Sequence, residues 1–140
     1  QENQLQKTVH AARVFCSNRN RASGCGRTFS LYMAERIRRL FLGAESLWLF
    51  LQLVVSTGNK LAAFRQLGCS LSDSAPYRIW KRFVRAQAAI RAALIPLCSP
   101  PVVESESSEA LTLAHRHKAF GGQPLNPIAA VQATLQPFFL

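Results

Sequence analysis

Apolar side chains recur every three or four residues along most of the chain, the spacing of helices that bury one face. Gly, Ser and Pro cut that pattern into pieces. The most apolar piece, about 45–56, ends at Ser56-Thr57-Gly58 and predicts a buried helix. A preceding helix is expected over about 31–42, ending at Gly43. Asn59 suits the N-cap of a third helix, 60–67, with Gly68 as its stop. Ser74, with Pro76 in the first turn, is expected to open a long helix that runs to about Leu94, before Pro96, Pro100 and Pro101. Two short helices should follow, about 109–119 and 127–136, the second capped by Asn126 with Pro127 next.

Residues 1–13 are polar and read as an arm, and the Gly-, Ser-, Asn- and Arg-rich stretch 14–30 reads as a tight β-hairpin-like unit. The expected fold is mainly α: a helical bundle with a helix-turn-helix, preceded by a small Cys-containing hairpin. Its parts are a basic arm and hairpin at 1–30, the helix-turn-helix domain at 31–95, a Ser/Glu/Pro linker at 96–108, and short C-terminal helices at 109–140. The apolar stretch 40–55 is interrupted by Glu45 and Gln52. Its unbroken part, 47–51, falls far short of the roughly 20 residues of a membrane span, so no membrane partner is expected. The polar first residues carry no secretory signal, which makes the cytoplasm the expected setting.

Charge sharpens this picture. The formal net charge is +10, and the excess is lopsided: residues 1–95 hold fifteen basic and four acidic side chains, residues 96–140 two and three. A concentrated positive field attracts polyanions, because neutralised phosphates release their condensed counterions. Arg outnumbers Lys thirteen to four, and guanidinium forks bind phosphates and base edges bidentately.

On a wheel of residues 77–94, Arg78, Lys81, Arg82 and Arg85 fall within about 100°, while Ile79, Trp80, Phe83, Val84, Ile90 and Leu94 take the other side. A short helix, a Gly-containing turn and this basic helix form the layout whose second helix enters the DNA major groove. Ala62, Phe64 and Leu67 are expected to pack the first helix on Trp80 and Phe83. Ser72, Asp73, Ser74 and Tyr77 would lie nearest the bases or backbone. Lys60, Arg65 and Arg91 add cations to the same unit. The bland alternative is a surface helix whose Arg stems cover the core.

Cys16 and Cys25 are separated by eight residues, and Cys25-Gly-Arg-Thr-Phe resembles one knuckle of a zinc ribbon. Zinc wants four donors in two close pairs, yet Ala22 stands where the partner of Cys25 belongs, and His10 is the one further donor nearby. Zinc on Cys16 and Cys25 is therefore a candidate cofactor, weighed against a metal-free hairpin. Arg13, Arg19, Arg21 and Arg27 crowd the same segment and can touch phosphates without metal. Cys69 and Cys98 read as small core residues.

Residues 14–30, above all Cys25-Gly-Arg-Thr-Phe-Ser, resemble the Cys-containing ribbon ahead of the catalytic domain in bacterial insertion-sequence transposases. The unit at 59–94 is similar to the helix-turn-helix that follows such ribbons. The resemblance implies recognition of transposon-end DNA, by a transposase-associated or transposase-derived protein without its catalytic domain. A transposase or a second copy of the chain is then a candidate partner.

No enzyme is expected. Two-metal strand transfer needs converging carboxylates, but Asp73 is the one Asp, Glu104, Glu106 and Glu109 crowd the linker, and Glu35 and Glu45 sit apart. His115 and His117 read as a solvated pair, and no Gly-rich phosphate loop occurs. DNA is the expected ligand ahead of RNA. The competing reading is a protein-interaction module that uses the apolar segment 40–55 and the tail Phe138-Phe139-Leu140.

Overall fold

A computed structural model describes residues 11–21, 23–32, 42–102 and 107–135. The hairpin comes first: β1 (Ala11–Phe15) pairs antiparallel with β2 (Thr28–Tyr32), in a register that sets Val14 opposite Phe29. The ladder corrects two expectations. Ala11, Ala12 and Arg13 are strand rather than arm, and Leu31 and Tyr32 are strand rather than the start of a helix. Each finds a ladder partner across the hairpin, which local periodicity cannot reveal. The rest of the helix expected at 31–42 lies outside the described residues, as does Glu35.

Among the described residues five helices follow: α1 (Ala44–Thr57), α2 (Lys60–Arg65), α3 (Ala75–Leu94), α4 (Ser108–Phe120) and α5 (Pro127–Leu135). Helix α1 buries Ala44, Leu47, Phe50, Leu51 and Val54, one apolar face at helical spacing, and closes where the Gly58 N–H donates to Val54 O at 2.8 Å. The Asn59 side chain caps α2 as expected, accepting from the Ala62 N–H at 3.0 Å. Asn126 caps α5, its Oδ1 taking the N–H groups of Ile128 and Ala129.

Ser74 precedes α3 but does not cap it by its side chain. A capping oxygen accepts from the second or third helical N–H. Here Pro76 has no N–H to give, and the Ser74 hydroxyl bonds that of Ser72 at 3.0 Å instead. Pro76, Ile79, Phe83, Gln87, Ile90 and Leu94 form the buried stripe of α3. Val84 was expected in that stripe and is exposed. At 100° per residue it lies about a quarter-turn from the line through Ile79, Phe83 and Gln87.

The core is shared by all five helices. Phe50 of α1 meets Phe64 of α2 edge to face at 5.7 Å, and Leu113, Phe120, Ile128 and Val131 of α4 and α5 join the same cluster. The expected packing face of α2 is rotated by one residue: Ala63 is buried and Ala62 exposed, and Phe64 meets Phe50 of α1.

Polar groups tie α3 to α4. Gln87 is buried because its Oε1 accepts from the hydroxyls of Ser108 at 2.7 Å and Thr112 at 3.4 Å. Arg91 Nη1 donates to the Ser108 hydroxyl at 2.6 Å and to the Thr112 hydroxyl at 3.1 Å.

His115 corrects the solvated-pair reading, for it is fully buried while His117 is exposed. Its Nε2 lies 2.8 Å from the Cys98 carbonyl, and a carbonyl only accepts, so Nε2 carries the proton. Arg116 is also fully buried, and burial lowers its guanidinium to about 9. Among the described residues no helix is long and apolar enough to cross a membrane.

Candidate nucleic-acid interface

Among the described residues two basic surfaces emerge, one on α3 and one on the hairpin. On α3 the apolar stripe fixes the helix's rotation, and the opposite side follows from geometry. Arg78, Lys81 and Arg85 fall in an arc of about 60°, facing away from the stripe, and all three are exposed. None has an acidic partner among the described residues, where the one ion pair joins Arg65 to Asp73 at 3.3 Å. Arg82 sits on the flank of this strip and is half-buried. Tyr77, one turn into α3 from Ser74, is exposed.

The turn between α2 and α3 adds to this surface. Lys60 Nζ stands 5.6 Å from the Trp80 ring centroid, a cation–π contact that holds the ammonium beside α3. Arg65 and Asp73 are both largely exposed, with 66% and 74% of their side chains accessible. Such a pair contributes little, about 0–1 kcal/mol, and a phosphate can replace Asp73 as the partner of Arg65. Arg91, grouped with these cations from sequence, faces α4 instead: its guanidinium is committed to Ser108 and Thr112.

On the hairpin, Arg13, Arg19, Arg21 and Arg27 are exposed, and the segment 11–32 contains no Asp or Glu. Asn20 and Arg21 have positive φ, at 54° and 66°, which turns the loop tip. The loop closes on a bulge: Cys16 N–H donates to Arg27 O and Gly26 N–H to Cys16 O, both at 2.9 Å, so Gly26 and Arg27 face one residue. Gly26 is its left-handed residue, with φ 67°. Gly24 lies so close to the Ser17 carbonyl that a side chain there would overlap backbone. Val14, Phe15 and Phe29 are nearly half exposed, an apolar display on the same basic ribbon that sequence reading passed over. Alternation of aromatic and Arg residues along 13–15 and 27–29 was the available signal.

The bulge brings Cys16 and Cys25 together. The Cys25 N–H donates to Cys16 Sγ at 3.2 Å. The backbone N–H first, and the neighbouring thiol second, stabilise negative charge on the Cys16 sulfur and hold its thiol below the usual value of 9.0. Among the described residues no group of three or more His, Cys, Asp or Glu comes together, and His10, the further donor weighed for zinc, lies outside them.

Among the described residues of the apolar segment, Leu42, Ala44, Leu47, Phe50, Leu51 and Val54 are consumed by the core, and Leu49 is exposed. The tail 136–140, including Phe138, Phe139 and Leu140, lies outside the described residues. Compared with family models, curated proteins and solved structures, the chain matches none, so these two basic surfaces are read from their own geometry.

Proposed function

We propose that this is a nucleic-acid-binding protein that docks duplex DNA on the outward side of α3, with α2, the turn and α3 acting as a helix-turn-helix. The observation that carries the proposal is the line of Arg78, Lys81 and Arg85, set opposite a fully buried stripe and without acidic partners among the described residues. Such a strip neutralises phosphates without disturbing the core beneath it. Lys60, Arg65 and Arg82 extend it, and Ser74 and Tyr77 stand at the end of α3 where base edges would be read. Arg19, Arg21 and Arg27 of the hairpin form a second phosphate contact. The transposase resemblance makes transposon-end DNA the favoured target and a binding partner, rather than a catalyst, the favoured role.

The test is the joint replacement Arg78→Glu, Lys81→Glu, Arg85→Glu, with binding to a labelled duplex followed by fluorescence anisotropy across a salt series. The parent should weaken steeply with salt, with a log–log slope of about 0.9 for each phosphate contact. The triple variant should lose binding at low salt and keep its helical circular dichroism. Parent-like binding by the variant would overturn α3 as the docking surface.

A further inference from the structure

We propose that Cys16 and Cys25 form a reversible dithiol–disulfide couple that locks the hairpin loop. The inference is independent of the nucleic-acid reading. It rests on the bulge, which closes the loop just beyond the two strands and brings the Cys25 backbone onto Cys16, with the Cys25 N–H donating to Cys16 Sγ at 3.2 Å. Cys25 is exposed and Cys16 partly so, which lets a small oxidant reach the pair. Two thiols brought this close by the fold have thiol–disulfide exchange open to them. The pair brackets the loop that carries Arg19 and Arg21, so closing the ring restrains both guanidinium groups.

The co-reactant is a small-molecule disulfide such as oxidised glutathione. The Cys16 thiolate attacks one of its sulfurs, the S–S bond breaks, and one thiolate leaves, taking up the proton given up by Cys16. The Cys25 thiolate then attacks the Cys16 sulfur of the mixed disulfide, the second small thiolate departs, and the proton from Cys25 neutralises it. Two cysteine thiols are oxidised, and one small disulfide is reduced to two thiols. Excess reduced thiol runs the sequence backwards.

The test uses the full chain with Cys69→Ser and Cys98→Ser, incubated in glutathione redox buffers and quenched with iodoacetamide. Under oxidising buffer the intact mass should fall by about 2 Da with neither cysteine alkylated, and reduced glutathione should restore both alkylations. Adding Cys25→Ser should trap glutathione on Cys16 as a stable mixed disulfide, since no second thiol remains to expel it. Three results would overturn the couple: a persistent mixed disulfide when both cysteines are present, a disulfide-linked dimer in place of the ring, or full alkylation throughout.

Discussion

In the hairpin, Arg13, Arg19, Arg21 and Arg27 hang from backbone secured by ladder hydrogen bonds and a bulge, while Val14, Phe15 and Phe29 stay nearly half exposed. In the helical body, Arg78, Lys81 and Arg85 project from a helix whose opposite side includes Phe83 and Leu94, both fully buried. Both regions present cations to solvent, but by different means. A two-stranded ribbon has little apolar burial and depends on turn chemistry and local hydrogen bonds. A helix in a bundle takes its position from the core, and its surface can change without loss of fold. The consequence is a division of sensitivity: core substitutions should disable the α3 surface, and loop substitutions the hairpin surface.

The largest expected effect comes from Phe83→Ala. Phe83 is fully buried at the centre of the α3 stripe, and Phe-to-Ala changes at such sites cost about 3–5 kcal/mol. Urea unfolding followed by helical circular dichroism should show that loss, while the alkylation rate of Cys16 under native conditions stays at the parent's value. A change in Cys16 reactivity matching the loss of body stability would join the two regions into one cooperative unit.

Gly26→Ala probes the other side of the comparison. A side chain at φ 67° costs about 1–2 kcal/mol, and the added methyl would also press on the Asn18 amide. Amide exchange in β1 and β2 should accelerate accordingly, with the thermal midpoint of the helices unmoved. A comparable shift of that midpoint would show that the hairpin supports the body.

The smallest expected effect belongs to Glu109, in the first turn of α4. Burial alone would push its carboxyl up. Its own backbone N–H, the Ser107 hydroxyl at 2.9 Å, Gln87 and the Arg91 guanidinium outweigh that and hold it below the ordinary 4.5. A carboxyl with a depressed folded pKa adds stability above its unfolded pKa, and that stability is lost as pH falls through the folded value. Glu109→Gln should therefore flatten the parent's loss of stability below about pH 4.5 by less than about 1 kcal/mol, read from unfolding curves at stepped pH, and leave the hairpin untouched. An unchanged acid limb would count against the carboxyl's role in joining α3 to α4.

Much of the body was legible in sequence because its signals are local. Caps such as Asn59 and Asn126 act within three residues of themselves, so α2 and α5 begin where those side chains indicate. Apolar spacing likewise marked α1, and the Arg–Lys line of α3 followed from the same periodicity. The misplacements share another origin. Leu31 and Tyr32 became strand because of partners about twenty residues away, Gln87 was drawn into the core by Ser108 and Thr112, and His115 was buried by its place on α4 against the Cys98 carbonyl.

By itself, then, the sequence determined the helical character, the caps and the lopsided charge, since each depends on residues within a turn or two along the chain. Only the tertiary structure decided which polar groups would be buried, that Arg91 serves the α3–α4 junction, and that Cys16 and Cys25 meet across a bulge. Those outcomes depend on distant groups satisfying one another's hydrogen bonds, and such pairings leave no periodic mark along the chain.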